Sequence, residues 1–183
     1  LFFSLFFLAG KKPDESKLID GVPLICQYPS YPTGCESVAA VTLLRYYGIS
    51  IDIPTYIDRY LPMAQTPTKD SFGASPAQFF LGDPRSESGW GCWAPVIEKG
   101  LNEALRDAGR KDLQAKTLRF VPLEQLCREY LNQNKPVLLW ATSAMAKAKR
   151  GITWQTELGD CTWISPMHCL TLIGYDETCY YFS

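Results

Sequence analysis

The chain has 183 residues, with 18 lysines and arginines against 19 aspartates and glutamates, a net charge of −1. Hydrophobic residues make up 46% and charged residues 20%, which excludes a disordered or collagen-like chain, and the even charge excludes a broad basic surface for nucleic acid. The length suits one domain with its own core. Seven cysteines accompany a single histidine, and no Cys-x-x-Cys occurs, so the usual zinc spacings are absent. An odd cysteine count leaves at least one thiol outside any intramolecular disulfide and raises the question of a nucleophile.

The chain opens LFFSLFFLAG, then KKPDESKLIDG. The apolar run Leu1–Leu8 is too short to span a bilayer, which takes about 20 residues. It reads as the remnant of a signal peptide or of a membrane anchor, so residues 1–19 are set apart as remnant and linker. Either reading makes the folded part secreted or extracytoplasmic, with membrane contact only through an N-terminal anchor. Residues 20–183 are expected to form one domain. Gly21–Gln27 is a short extended segment, and YPSYPTG is loop. In CESVAAVTLLRYYG, Val38, Val41, Leu44 and Tyr47 fall at helical spacing and Gly48 gives a stop, so Cys35 opens a helix. Asp52 caps a second helix through PTYIDRYL, with Pro54 in its first turn.

Residues 62–91 carry little periodicity and many Pro, Gly and Ser, and read as a long loop with turns at Asp83-Pro84 and Gly89-Trp90-Gly91. Ala94–Ala108 is a helix with Ile97, Leu101 and Leu105 on one face and Gly109 at its end. Pro122–Gln133 is another. Asn134-Lys135-Pro136 turns into the buried strand PVLLWAT. Residues 145–165 read as a loop or weak hairpin containing Trp154 and Trp163. HCLTLIGYD and CYYFS are strands about a turn at Asp176-Glu177. Helices precede strands, an α+β order.

Three residues suggest chemistry. Cys35 at a helix start sits where partial positive charge favours the nucleophilic thiolate. His168, the only histidine, begins an apolar strand far away in sequence, as is common for the base of a Cys–His pair. Gln27, on the segment leading to the nucleophile loop, has an amide that can join the Cys35 N–H around an oxyanion. Each has a bland alternative: a small apolar cysteine, a structural histidine, a loop glutamine. Their combination and order are more specific.

The segments VPLICQYPSYPTGCESVAAVTLLRYYG, FFLGDPRSESGWGCWAPVIEKGLNEAL, LEQLCREYLNQNKPVLLWAT and MHCLTLIGYDETCYYFS resemble a bacterial cysteine peptidase family. That family is related to the leader-cleaving, double-glycine peptidase domains of bacteriocin exporters. The resemblance covers roughly residues 21–183, with Gln-x7-Cys and Met-His-Cys-Leu-Thr-Leu-Ile-Gly-Tyr-Asp as its specific motifs. It implies a papain-like fold, an N-terminal nucleophile helix packed on a C-terminal antiparallel sheet. It also implies a thiol hydrolase with Cys35 as nucleophile, His168 as base and Gln27 at the oxyanion, a peptide or protein substrate, and no metal or cofactor.

The resemblance implies, too, an Asp or Asn that orients the histidine. Asp176 is a poor match. A hairpin centred there pairs position 168 with position 184 and leaves Asp176 on the order of 25 Å away at about 3.3 Å per residue. The third residue is therefore expected beyond Ser183, with Asp176 a turn residue. Cys169 should alternate away from His168 and Cys26 away from Gln27. Cys92 and Cys161 are the first pair to check for a disulfide, with Cys26–Cys35 a less favoured one. Trp154 and Trp163 either wall the cleft or plug the core, and the Gly82–Trp93 loop is a candidate border. Two alternatives stay open: a cell-wall amidase, endopeptidase or transpeptidase with the same pair, or a non-catalytic peptide-binding module of the same fold.

Overall fold

A computed structural model describes residues 16–183, so the apolar run Leu1–Leu8 lies outside the described residues. The chain folds into a mixed helix and sheet domain. Its elements are β1 (Lys17–Leu18), α1 (Cys35–Tyr46), α2 (Ile53–Tyr60), β2 (Met63–Ala64), β3 (Phe80–Leu81), α3 (Ala94–Asp107) and α4 (Leu123–Glu129), then β4 (Val137–Thr142), β5 (Lys149–Thr156), β6 (Gly159–Ser165), β7 (Met167–Tyr175) and β8 (Tyr180–Phe182). Among the described residues no helix is long and apolar enough to cross a membrane.

α1 is the central helix. Its residues from Cys35 through Thr42 are all buried, as expected for a helix packed on several sides rather than along one stripe. One side meets α2 and α3 through Val41, Leu44, Tyr56, Ile57, Ile97 and Leu101. The other meets β7, where Cys35 and Ala39 pack on Cys169. Asp52 caps α2 as the sequence suggests, its Oδ1 accepting the Thr55 N–H at 2.8 Å, with proline in the first turn.

β7 is the hub of the main sheet. It pairs antiparallel with β4, β1 and β8. Lys17 and Leu18 face Tyr175 and Gly174, and Ile19 is only 3% exposed in the cluster with Cys127, Leu131 and Leu172. The folded unit therefore takes in residues before the expected boundary at 20, because Ile19 has apolar surface to bury. Residues 145–165 are more ordered than expected. β5 and β6 form a hairpin whose Trp154 is fully buried on Leu81 and Cys161 and donates its indole N–H to the Ala74 carbonyl at 3.0 Å. Trp154 thus plugs a small core. The long loop is also partly structured, β2 and β3 pairing in parallel.

The expected register of β7 and β8 needs correcting. The hairpin loop closes through the Asp176 N–H to the Cys179 carbonyl, and Thr171 and Ser183 exchange both backbone hydrogen bonds. A bulge lies between Leu172 and Gly174. Ser183 accordingly faces Thr171, three positions along β7 from His168, and not the neighbour of His168. All seven cysteines are free thiols, so neither the Cys92–Cys161 nor the Cys26–Cys35 pairing is present. Cys92 belongs to the main core and Cys161 to the core beneath the hairpin.

The packing of α3 on α2 gives a test. A Cβ on Gly100 would stand 2.6 Å from the Tyr60 carbonyl oxygen and 2.7 Å from the Tyr56 hydroxyl. Gly to Ala inside a helix ordinarily stabilises by about 0.5–1 kcal/mol. Here Gly100→Ala should instead destabilise by about 1–3 kcal/mol, the usual range for overpacking. Urea unfolding reads the sign, and a stabilised variant would mean that the two helices are not in this contact.

Candidate active site

Tyr31-Pro32-Thr33-Gly34 delivers Cys35 to the start of α1. The Gly34 N–H donates to the Tyr31 carbonyl at 3.0 Å, and the Gly34 carbonyl accepts the Val38 N–H at 3.0 Å. The position needs glycine for space, since a Cβ would lie 2.9 Å from Tyr31 Cβ and 3.1 Å from Pro84 Cβ. The Thr33 hydroxyl lies within hydrogen-bond distance of the Ser86 carbonyl at 2.9 Å and the Asp83 carbonyl at 3.2 Å. The turn that delivers Cys35 is thus held against the 83–89 loop.

Gln27, Cys35 and His168 line one cleft of about 470 Å³, with Tyr28, Thr33, Trp90, Ala144 and Met167 among the other walls. The Gln27 amide donates to the Pro32 carbonyl at 3.0 Å, which fixes its side chain beside the turn. Gln27 is half-buried while Cys26 is exposed, as the expected alternation requires. His168 sits on β7 opposite Ala141 of β4. The N–H of Cys169, the next residue, points at Cys35 Sγ with N···S 3.4 Å. Cys169 itself is buried against Cys35 and Ala39, whereas His168 is half-buried at the cleft.

Two borders of the cleft differ in how visible they are in the sequence. The Gly89-Trp90-Gly91 turn is the expected border, and Trp90 packs on Trp163 with ring centroids 5.3 Å apart and edge-on to Trp154 at 6.1 Å. Trp163 therefore supports the wall from behind. Ser143 and Ala144, at the end of β4, have no sequence signal, and Ala144 adopts a left-handed backbone at φ 54.

Asp176 takes no part. Its Oδ1 accepts from the Thr178 N–H at 2.6 Å, the Cys179 N–H at 2.7 Å and the Thr178 hydroxyl at 2.8 Å, and Tyr181 donates to its other oxygen. These bonds hold its carboxyl well below the usual range. It is a turn residue. No hydrogen bond between the His168 ring and a carboxylate or an amide is found among the described residues.

The residue sequence reasoning missed is Glu36. Its side chain is completely buried. Glu36 Oε2 accepts from the Cys35 thiol at S···O 3.1 Å and Oε1 accepts the Cys92 N–H at 2.9 Å. Nothing in the pattern signals a buried carboxylate here, because a glutamate in the first turn of a helix is ordinarily a solvated residue that favours the helix dipole. Its presence overturns the expectation of a low-pKa thiol. Burial, then the neighbouring Glu36 charge, push the Cys35 thiol far above its ordinary value, against the opposing pull of the Cys169 N–H. Burial raises Glu36 from 4.5 to about 7 and depresses His168 below its usual 6.5.

The comparisons agree on the fold. The sequence model of the Peptidase_C39 like family matches residues 19–183. The crystal structure of a C39-like peptidase from Bacillus anthracis superposes with a TM-score of 0.78 at 24% identity, covering 92% of this chain and 82% of that one. No curated protein matches the chain.

Glu36 makes stability depend on pH. Its carboxyl is more basic folded than unfolded, so the stability it contributes is complete below about pH 4.5 and is lost as the pH rises through about 7. The shift corresponds to a loss on the order of 3 kcal/mol. Unfolding midpoints measured between those limits should fall for the native chain and level out in Glu36→Gln. Parallel curves for the two proteins would contradict the burial of this charge.

Proposed function

Because the chain belongs to the Peptidase_C39 like family, we propose that it is a cysteine peptidase of papain-like mechanism, with Cys35 as nucleophile, His168 as the proton carrier and Gln27 at the oxyanion. What supports this reading above all is that these three residues, distant in sequence, line one cleft.

The chemistry follows from the groups present. Cys35 gives its proton to His168 as Sγ attacks the peptide carbonyl carbon. The oxygen takes the negative charge and is met by two donors. One is the Cys35 N–H, which at the first turn of α1 has no partner within the helix. The other is the second N–H of the Gln27 amide, whose first already binds Pro32. The imidazolium then protonates the leaving nitrogen as the C–N bond breaks. Water, deprotonated by the neutral imidazole, hydrolyses the thioester and restores the thiol. Among the described residues the cleft walls hold no carboxylate, lysine or arginine, so uncharged side chains are the substrate class that fits beside the scissile bond.

Incubation with a mixed peptide library, with and without peptidoglycan, tests the reading by mass spectrometry of the products. The native chain should cleave peptides, and Cys35→Ala should cleave none above background. His168→Ala should lose about 10³-fold or more, and Gln27→Ala about 10²-fold in kcat, the costs typical of a base and of one oxyanion donor. Products from peptidoglycan alone would favour the cell-wall reading. No product from either would favour a peptide-binding module.

A further inference from the structure

Glu36 has no part in the reaction just described, yet it is the residue bonded to the nucleophile. We propose that Glu36 is a charge gate on Cys35: ionised, it holds the thiol protonated; protonated, it releases the thiol to form the thiolate–imidazolium pair. The proposal rests on the peptidase reading for the role of Cys35, but its test does not require turnover.

The argument starts from geometry. The carboxylate reaches Cys35 Sγ at 3.1 Å and is anchored at its other oxygen by the Cys92 N–H, so it cannot swing away. Gly91 closes it in. A Cβ there would collide with Glu36 Oε1 and lie 2.8 Å from Met167 Cε. Glu36 is hydrogen-bonded to Cys35 on its own helix and to Cys92 from the segment before α3, and Tyr56 from α2 and Cys169 from β7 lie within electrostatic reach of it. None is a cation, and no lysine or arginine among the described residues compensates the carboxylate.

The proton count then decides. With Glu36 ionised, moving the Cys35 proton to His168 would leave a thiolate against a carboxylate, two negative charges in contact, one of them on a fully buried side chain. With Glu36 protonated, the same transfer leaves one thiolate, which accepts a hydrogen bond from the Glu36 carboxyl while facing one imidazolium. One proton on Glu36 thus separates a closed from an open nucleophile. Burial that raises this carboxyl to about 7 brings the transition within an ordinary range of pH. Glu36 is a positioning residue, since it acts through Cys35.

The test is the pH profile of Cys35 alkylation by iodoacetamide, read by peptide mass spectrometry, in the native chain and in Glu36→Gln. The glutamine keeps an acceptor for Cys92 but carries no charge. At about pH 8 the variant should react about tenfold faster or more, since removing a like charge in contact shifts a thiol by at least one pK unit. At about pH 5.5, where native Glu36 is already neutral, the two should agree within about threefold. Superimposable profiles would overturn the proposal. So would slower alkylation of the variant at every pH, which would make Glu36 the proton acceptor of the thiol. If the variant does not fold, the native profile decides: Cys35 must show a break near pH 7 that the exposed Cys26 and Cys179 lack, and a profile without it overturns the gate. A chain that cleaves no peptide yet shows the predicted response would sink the peptidase reading and sustain this one.

Discussion

The site depends on one buried carboxylate. Glu36 receives the Cys92 N–H, and the carbonyl of the same residue receives the Trp140 indole N–H at 2.8 Å. The peptide groups on either side of Cys92 are therefore fixed from both sides, by α1 and by β4. Through them α1, the central sheet and the start of α3 are locked into one arrangement. Losing one member would strand a buried polar group at a cost of about 1–3 kcal/mol, more if the stranded group is charged. That is a large fraction of the stability of an ordinary domain. Burying the charge is costly in itself, so the carboxylate is a weak source of net stability even though its hydrogen bonds fix the arrangement.

The cleft inherits its shape from this lock and from close backbone approaches. Gly34 lets the turn before Cys35 press on Pro84, and Gly91 lets its segment pass over Glu36. Trp90, carried between two glycines, is backed by Trp163 and Trp154, so the β5–β6 hairpin supports the wall without supplying chemistry. His168 arrives by a separate route, on the strand that also packs against α1. Cys35 and His168 thus ride on two elements already in contact, which is why residues 133 positions apart in the sequence can line one cleft.

Much of this was legible in the sequence because the signals were local. Periodicity, the Asp52 cap and the stops at Gly48 and Gly109 placed the helices, and both glycines adopt positive φ. A continuous apolar run placed β4. The β5–β6 hairpin was less visible, because its strands alternate polar residues with a tryptophan and have no tight-turn signature. The β7–β8 register was off by two residues, because a longer loop and a bulge replace the assumed tight turn. Chemically, Cys35, His168 and Gln27 could be singled out by type and order. Glu36 could not. Its burial is produced by Cys92 and Gly91, whose nearness to α1 is a tertiary fact that no local pattern encodes.

The central claim is that Cys35 and His168 work as a pair. Native Cys35 and the exposed Cys26 and Cys179 compete for limiting iodoacetamide at about pH 6, where an ordinary thiol is almost fully protonated. The account predicts that His168→Ala slows the alkylation of Cys35 and leaves that of Cys26 and Cys179 unchanged. Alkylation of Cys35 at the same rate with and without the imidazole would contradict it.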